Sequence, residues 1–342
     1  MITTLKRRSF LGSVSLAAAA SCFSPWRFAH ADTWQPSLRL PDPAIKILDP
    51  AFKSCINTLS VVTQIASGFE WTEGPVWLGE ANLLLFSDIR GNRIMKWDEA
   101  TGETSVFRKS SNFSNGNTVD RQGRLLTCEC ETRRITRTEA DGRITVLADG
   151  FDGKPFNSPN DIVCTADGAI WFTDPAFGPN FSEGDWPPSQ PARVYRIDPR
   201  TQKTAAVLDD TPGPNGLCFS PDEKILYVIA ARHTPHRQIR AYDVATNGTV
   251  SNGRIFLDCG EGTADGVRAD INGNLWCGWG SGAGLDGVAV FNPQARQIGH
   301  IDLPERCPNV CFGGAHRNQL FMATHTSIYR LTLATQGVPQ VG

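Results

Sequence analysis

Short apolar runs recur along the chain, each introduced by a polar turn. They cover residues 83–87, 124–128, 169–173, 225–229, 274–278 and 319–323. Gln122-Gly123, Asp167-Gly168, Asn272-Gly273 and Arg317-Asn318 stand just ahead of four of them, and Pro221-Asp222-Glu223 ahead of a fifth. Brief apolar runs bounded by such turns read as strands joined in hairpins, and no continuous helical pattern competes with them. Several runs lead into a second strand that ends in an acidic turn, at Asp98, Asp198 and Asp243, and then into a third apolar stretch such as 204–208.

Counted from Leu83, Leu125, Ile170, Ile225, Leu275 and Leu320, taken as the strand starts, the copies are spaced 42, 45, 55, 50 and 45 residues apart. A period of roughly 40–50 residues with about four strands per copy belongs to a propeller, in which no blade buries both its faces alone. The predicted fold class is therefore all-β, a six-bladed β-propeller occupying 61–342, with 61–66 completing the sixth blade and closing the ring. Residues 32–60 are rich in Pro, show little periodicity and are expected to wrap the outside. A sandwich of irregular hairpins is the alternative, but it gives no reason for a second regularity.

Ten residues ahead of five of these starts stands an oxygen-bearing side chain: Glu73, Asn115, Asn160, Asn215 and Asp265. Val310 takes that place in the sixth copy. Gly74, Gly116, Gly216 and Gly266 follow four of the five, and Asp161 follows Asn160. Equivalent positions of a closed repeat converge on one centre, so these side chains predict a central divalent metal site. Two carboxylates with amide oxygens suit a hard cation whose shell water completes. Ca²⁺ is the expected ion; Mg²⁺ and Mn²⁺ accept the same donors, and Zn²⁺, though compatible, ordinarily takes a His or Cys. Any one Asn-Gly or Asp-Gly is explained as a turn; five in register are not. Glu73 is the most telling, because it lies in the apolar stretch from Trp71 to Trp77, where an unpaired carboxylate is costly to bury.

The chain opens with Lys6-Arg7-Arg8-Ser9-Phe10-Leu11, an Ala-rich apolar run and Ala29-His30-Ala31. A charged region, a short apolar stretch and small residues at a cleavage point read as an export signal over 1–31, too short to span a bilayer. The paired arginines resemble a twin-arginine address, which implies the Tat export machinery as a partner and a periplasmic location with no membrane anchor. The net charge is −2, and no basic stripe points to nucleic acid. Of the ten cysteines, Cys22 falls in the signal, and the others are expected as small buried hydrophobes.

The residues Glu73-Gly74-Pro75-Val76-Trp77, Ser158-Pro159-Asn160-Asp161, Pro214-Asn215-Gly216-Leu217, Ala264-Asp265-Gly266-Val267 and Cys311-Phe312-Gly313-Gly314 resemble the gluconolactonase/regucalcin (senescence marker protein) family, from about Gly68 to Leu331. The resemblance implies a six-bladed propeller with one divalent cation in its channel and, in many members, hydrolysis of sugar lactones. It implies Glu73, Asn215 and Asp265 as metal ligands and Asn160 as a further amide ligand or substrate contact. Asn115 lies in a copy where the family varies, and Ser158-Pro159 replace the Arg-Phe of the animal members.

The activity the resemblance implies is metal-dependent opening of glucono-1,5-lactone or a related aldonolactone, and it implies Asp265 as the catalytic general base as well as a ligand. Asn115, Asn160, Arg232, His233 and His325 are the candidate substrate contacts. His233, His236 and His325 are the alternative bases, and Asp88, Asp174 and Trp186 are candidates for shaping the pocket. A related hydrolase of other esters or organophosphates, or a non-catalytic propeller binding calcium or a sugar, are the competing readings. No Cys-x-x-Cys-His supports a haem-bearing oxidoreductase.

Overall fold

The computed structural model describes residues 34–178 and 186–339. The expected signal at 1–31 lies outside them. Six antiparallel sheets follow one another in sequence, and in the first four of them the four strands run in chain order from the channel outward. In the first blade these strands are Thr72–Leu78, Leu83–Asp88, Arg93–Asp98 and Thr104–Lys109. The innermost strand of each blade touches that of the next, and the sixth touches the first, which closes a six-bladed propeller.

Closure mixes the two ends of the domain. Thr63–Ser67 pairs with Ser327–Thr332 and becomes the outer strand of the sixth blade, as the sequence predicts. The segment before it does more than wrap. Ile45–Ile47 pairs with Gln297–Asp302 as a fifth strand of the fifth blade. The short 3₁₀ turn Pro50–Ser54 then buries Phe52 against Trp276, ring centroids 5.7 Å apart.

The apolar runs form the second strand of each blade from the channel, not the first as the sequence pattern counts them. The reason is packing. Successive side chains of a strand point to opposite faces, and a blade is sandwiched between two neighbours. Leu226 and Val228 pack with Trp171 and Val194 of the third blade, whereas Tyr227 and Ile229 pack with Trp279 and Phe291 of the fifth. Both faces of the second strand are therefore apolar. The innermost strand instead borders a polar channel and carries Asn, Gly and Glu. Nine cysteines are free among the described residues, eight of them buried and Cys164 partly so.

Candidate active site

Three innermost strands bulge at their ring residue. Pairing slips between Glu73 and Val76, between Ser114 and Asn117, and between Pro214 and Leu217. A bulge re-aims the local side chains, here Glu73, Asn115 and Asn215. The glycine after each ring residue lets the next blade approach. A Cβ on Gly216 would lie 2.1 Å from the Asp265 carbonyl oxygen, and Gly74, at φ +49°, meets that of Asn115 at the same distance. Gly116 and Gly216 donate backbone N–H bonds to the carbonyls of Asn160 and Asp265, at 2.7 and 3.1 Å. The glycine part of the repeat is thus an inter-blade seam. In the third copy Asp161 replaces glycine and crosses the seam with its side chain, accepting from Leu217 N at 3.2 Å and from both Nη atoms of Arg268 at 3.0 and 3.1 Å.

Glu73, Asn160, Asn215 and Asp265 line one cavity of about 280 Å³, near the lower end of small-molecule sites. Glu73 Oε2 accepts from Gly74 N at 2.8 Å and from Asn309 Nδ2 at 2.9 Å. Its Oε1 has no donor among the described residues. Burial, then the nearby charge of Asp265, pushes the Glu73 carboxyl well above the usual range. Asn215 Nδ2 donates to Asp265 Oδ1 at 2.6 Å, and Arg306 pairs with Asp265 Oδ2. The Asn160 carboxamide has no partner among the described residues, although its backbone is held on both sides. Two mutually destabilising carboxylates beside an idle amide and an unclaimed carboxylate oxygen form an all-oxygen donor set that fits a hard divalent cation.

The loops carrying these groups are pinned from behind. Asp88 accepts the backbone N–H groups of Glu70 and Trp71 at 2.9 and 3.0 Å, just ahead of Glu73. Asp174 accepts those of Asn157 and Ser158, both at 2.8 Å, just ahead of Asn160. Both are wholly buried, so they hold the loops and do not line the pocket. Trp186 likewise braces a loop, donating to Asn157 O at 2.6 Å.

The other expected contacts separate. Arg232 lines the cavity, donating to Ala176 O at 3.1 Å and lying over Phe177. Asn115 sits in the ring through its backbone, but its side chain is not on the cavity wall. His233 bonds the carbonyl of His236 at 3.0 Å, and His236 meets Asp258 at 2.9 Å, which occupies both in their own loop. His325 packs beside Trp71, ring centroids 4.5 Å apart, and burial lowers its basicity. It too is off the wall.

Three residues escaped the sequence reading. Asn309, not Val310, is the sixth blade's ring member: it pairs with Ala323 as Glu73 pairs with Ser87. The signal was Pro308-Asn309, which matches Pro159-Asn160 and Pro214-Asn215 better than a count of ten does. Arg237 and Arg306 also line the cavity. They lie in loops that differ between blades, so no repeat reveals them. A larger cavity of about 520 Å³ opens near Trp77, Phe312 and Arg317, but Glu80 is its only carboxylate.

Residues 71–326 match the family described as SMP-30/Gluconolactonase/LRE-like region. The chain belongs to that family. Relatives bearing lactonase names include a gluconolactonase of Zymomonas mobilis, 32% identical over 84% of this chain and 85% of its own length. A pentonolactonase of Haloferax volcanii is 28% identical over 74% of this chain and 80% of its own. Among solved structures, a gluconolactonase of Xanthomonas campestris superposes with a TM-score of 0.77 at 34% identity, covering 84% of this chain and 94% of that one. The SMP-30/gluconolactonase match begins at Trp71 and ends at Thr326, so it spans every ring residue from Glu73 to Asn309.

Proposed function

We propose that this chain is a lactonase that opens a sugar lactone, glucono-1,5-lactone or a related aldonolactone, with the help of one divalent cation held by Glu73, Asn160, Asn215 and Asp265. The observation that carries the reading is the convergence of those four side chains on one cavity, with one carboxylate oxygen and one amide left without partners among the described residues. Lactonase-named relatives along most of the chain support it. When bound, the cation supplies Lewis-acid polarisation of the lactone carbonyl.

The chain's own groups do the rest. Asp265, fixed by Asn215 and Arg306, takes a proton from the attacking water. The water oxygen bonds to the carbonyl carbon, the ring C–O bond breaks, and the proton passes to the departing ring oxygen. Among the described residues no histidine lines the cavity, which favours Asp265 as the base over His233, His236 and His325. Ca²⁺ is our first choice of ion because every donor is an oxygen. We further propose that the twin-arginine-type leader directs the folded enzyme to the periplasm.

Acid release from glucono-1,5-lactone in a pH-stat tests the reading. We expect a rate above the spontaneous background that chelation and Asp265→Ala both abolish. A rate indifferent to both, or none at all, would exclude it.

A further inference from the structure

Beyond the reaction type, the described residues of the cavity wall carry more positive charge than a neutral sugar lactone needs. Arg232, Arg237 and Arg306 face it against the two carboxylates Glu73 and Asp265. A divalent cation would widen that excess. Arg306 is paired with Asp265, but Arg232 and Arg237 have no carboxylate partner among the described residues. Their hydrogen bonds go to carbonyls, Arg232 to Ala176 O at 3.1 Å and Arg237 to Ala264 O at 2.7 Å. Each guanidinium has five N–H donors, so most of each fork is unspent.

Arg237 is half-buried, and burial lowers its hold on its proton. The nearby charge of Asp265 opposes that loss but is already paired with Arg306, so a partly desolvated Arg237 is poorly compensated unless a ligand supplies a further anion. The pair is also placed to act together. Arg232 follows the strand Ile225–Ala230 and Arg237 directly precedes Gln238–Val244, so one hairpin of the fourth blade presents both. That loop is braced independently, because His236 is tied to Asp258 at 2.9 Å. Planar guanidiniums recognise carboxylates in preference to hydroxyls.

We propose that the substrate is an anionic lactone, one bearing a free carboxylate away from its reacting carbonyl, and that Arg232 and Arg237 hold that carboxylate. The inference rests on the lactonase reading and narrows its substrate class.

The test uses two 1,4-lactones that differ only at C6: D-glucaro-1,4-lactone, with a carboxylate there, and D-glucono-1,4-lactone, with a hydroxymethyl group. Holoenzyme kcat/KM should favour the carboxylate form by about tenfold or more, a preference that shrinks as salt is added. Arg237→Gln and Arg232→Gln should bring the ratio of the two kcat/KM values toward one, and Arg237→Lys should restore part of it. Calorimetry should show glucarate binding more tightly than gluconate, with the difference lost in Arg237→Gln. A wild-type ratio at or below one overturns the inference. So does a ratio that survives both glutamine variants while both rates fall, because the arginines would then serve steps common to the two lactones. Acid release from neither lactone, nor from glucono-1,5-lactone, would fell the lactonase reading itself.

Discussion

Asn309 Nδ2 donates to Glu73 Oε2 at 2.9 Å across 236 positions of sequence, and so joins the last blade to the first inside the ring. The bond occupies the oxygen of Glu73 that Gly74 N also holds, while Val310 N donates to Asn309 Oδ1 at 2.8 Å and fixes the carboxamide. Glu73 is thereby presented with a defined oxygen to spare. Groups that orient a ligand in this way are worth roughly 10–100-fold in metal affinity. Asn309→Ala should therefore weaken Ca²⁺ binding by about that factor in calorimetry while the propeller's circular dichroism is retained. Unchanged affinity would mean that Glu73 is not a ligand or needs no orienting partner.

The inter-blade seam makes a steric prediction. Gly216→Ala would press a methyl against the Asp265 backbone, which cannot swing away as a side chain can. Overpacking of this kind costs roughly 1–3 kcal/mol, measurable as a lower urea midpoint, and it should also impair the site by displacing Asp265. Gly79→Ala is the control. Nothing lies within 4 Å of its Cβ position, and stability should barely change.

Asp174 gives a pH prediction. Burial pushes its carboxyl up to about 7, against the opposing pull of the Asn157 and Ser158 N–H groups. An unfolded Asp titrates near ~3.9, so between about pH 4 and pH 7 the folded protein keeps a proton that the unfolded chain has lost. The stabilisation tied to that proton is complete below about pH 4 and is lost as pH rises toward 7. Urea unfolding of wild type and Asp174→Asn, both with chelator, should show the wild type's stability relative to the variant falling by about 1–2 kcal/mol from pH 5 to pH 7. A constant difference would contradict it. The same variant should raise KM, because the pinned loop carries Asn160.

These residues also show what the sequence made legible. The blade count and the ring position of Glu73, Asn160, Asn215 and Asp265 followed from periodicity, because a closed repeat imposes the same local problem on every blade. The innermost strands are not visible in the hydrophobic pattern because they border the polar channel, whereas the second strands are apolar on both faces and stand out. Asn309 was missed because the sixth run was counted from Leu320, whereas its strand starts at the polar Gln319, ten residues after Asn309. Arg237 and Arg306 reach the cavity from loops of no fixed length, and only the folded chain brings them there. His233 and His325 were attractive for their chemistry alone, and packing turned both from the wall.

The central claim is that one divalent cation binds in the ring. The most direct measurement is calorimetric titration of the chelator-stripped protein with Ca²⁺, alongside Glu73→Gln and Asp265→Ala. One site per chain, with affinity lost in both variants, is the predicted result. No binding in the wild type, or stoichiometric binding that survives both substitutions, would contradict it.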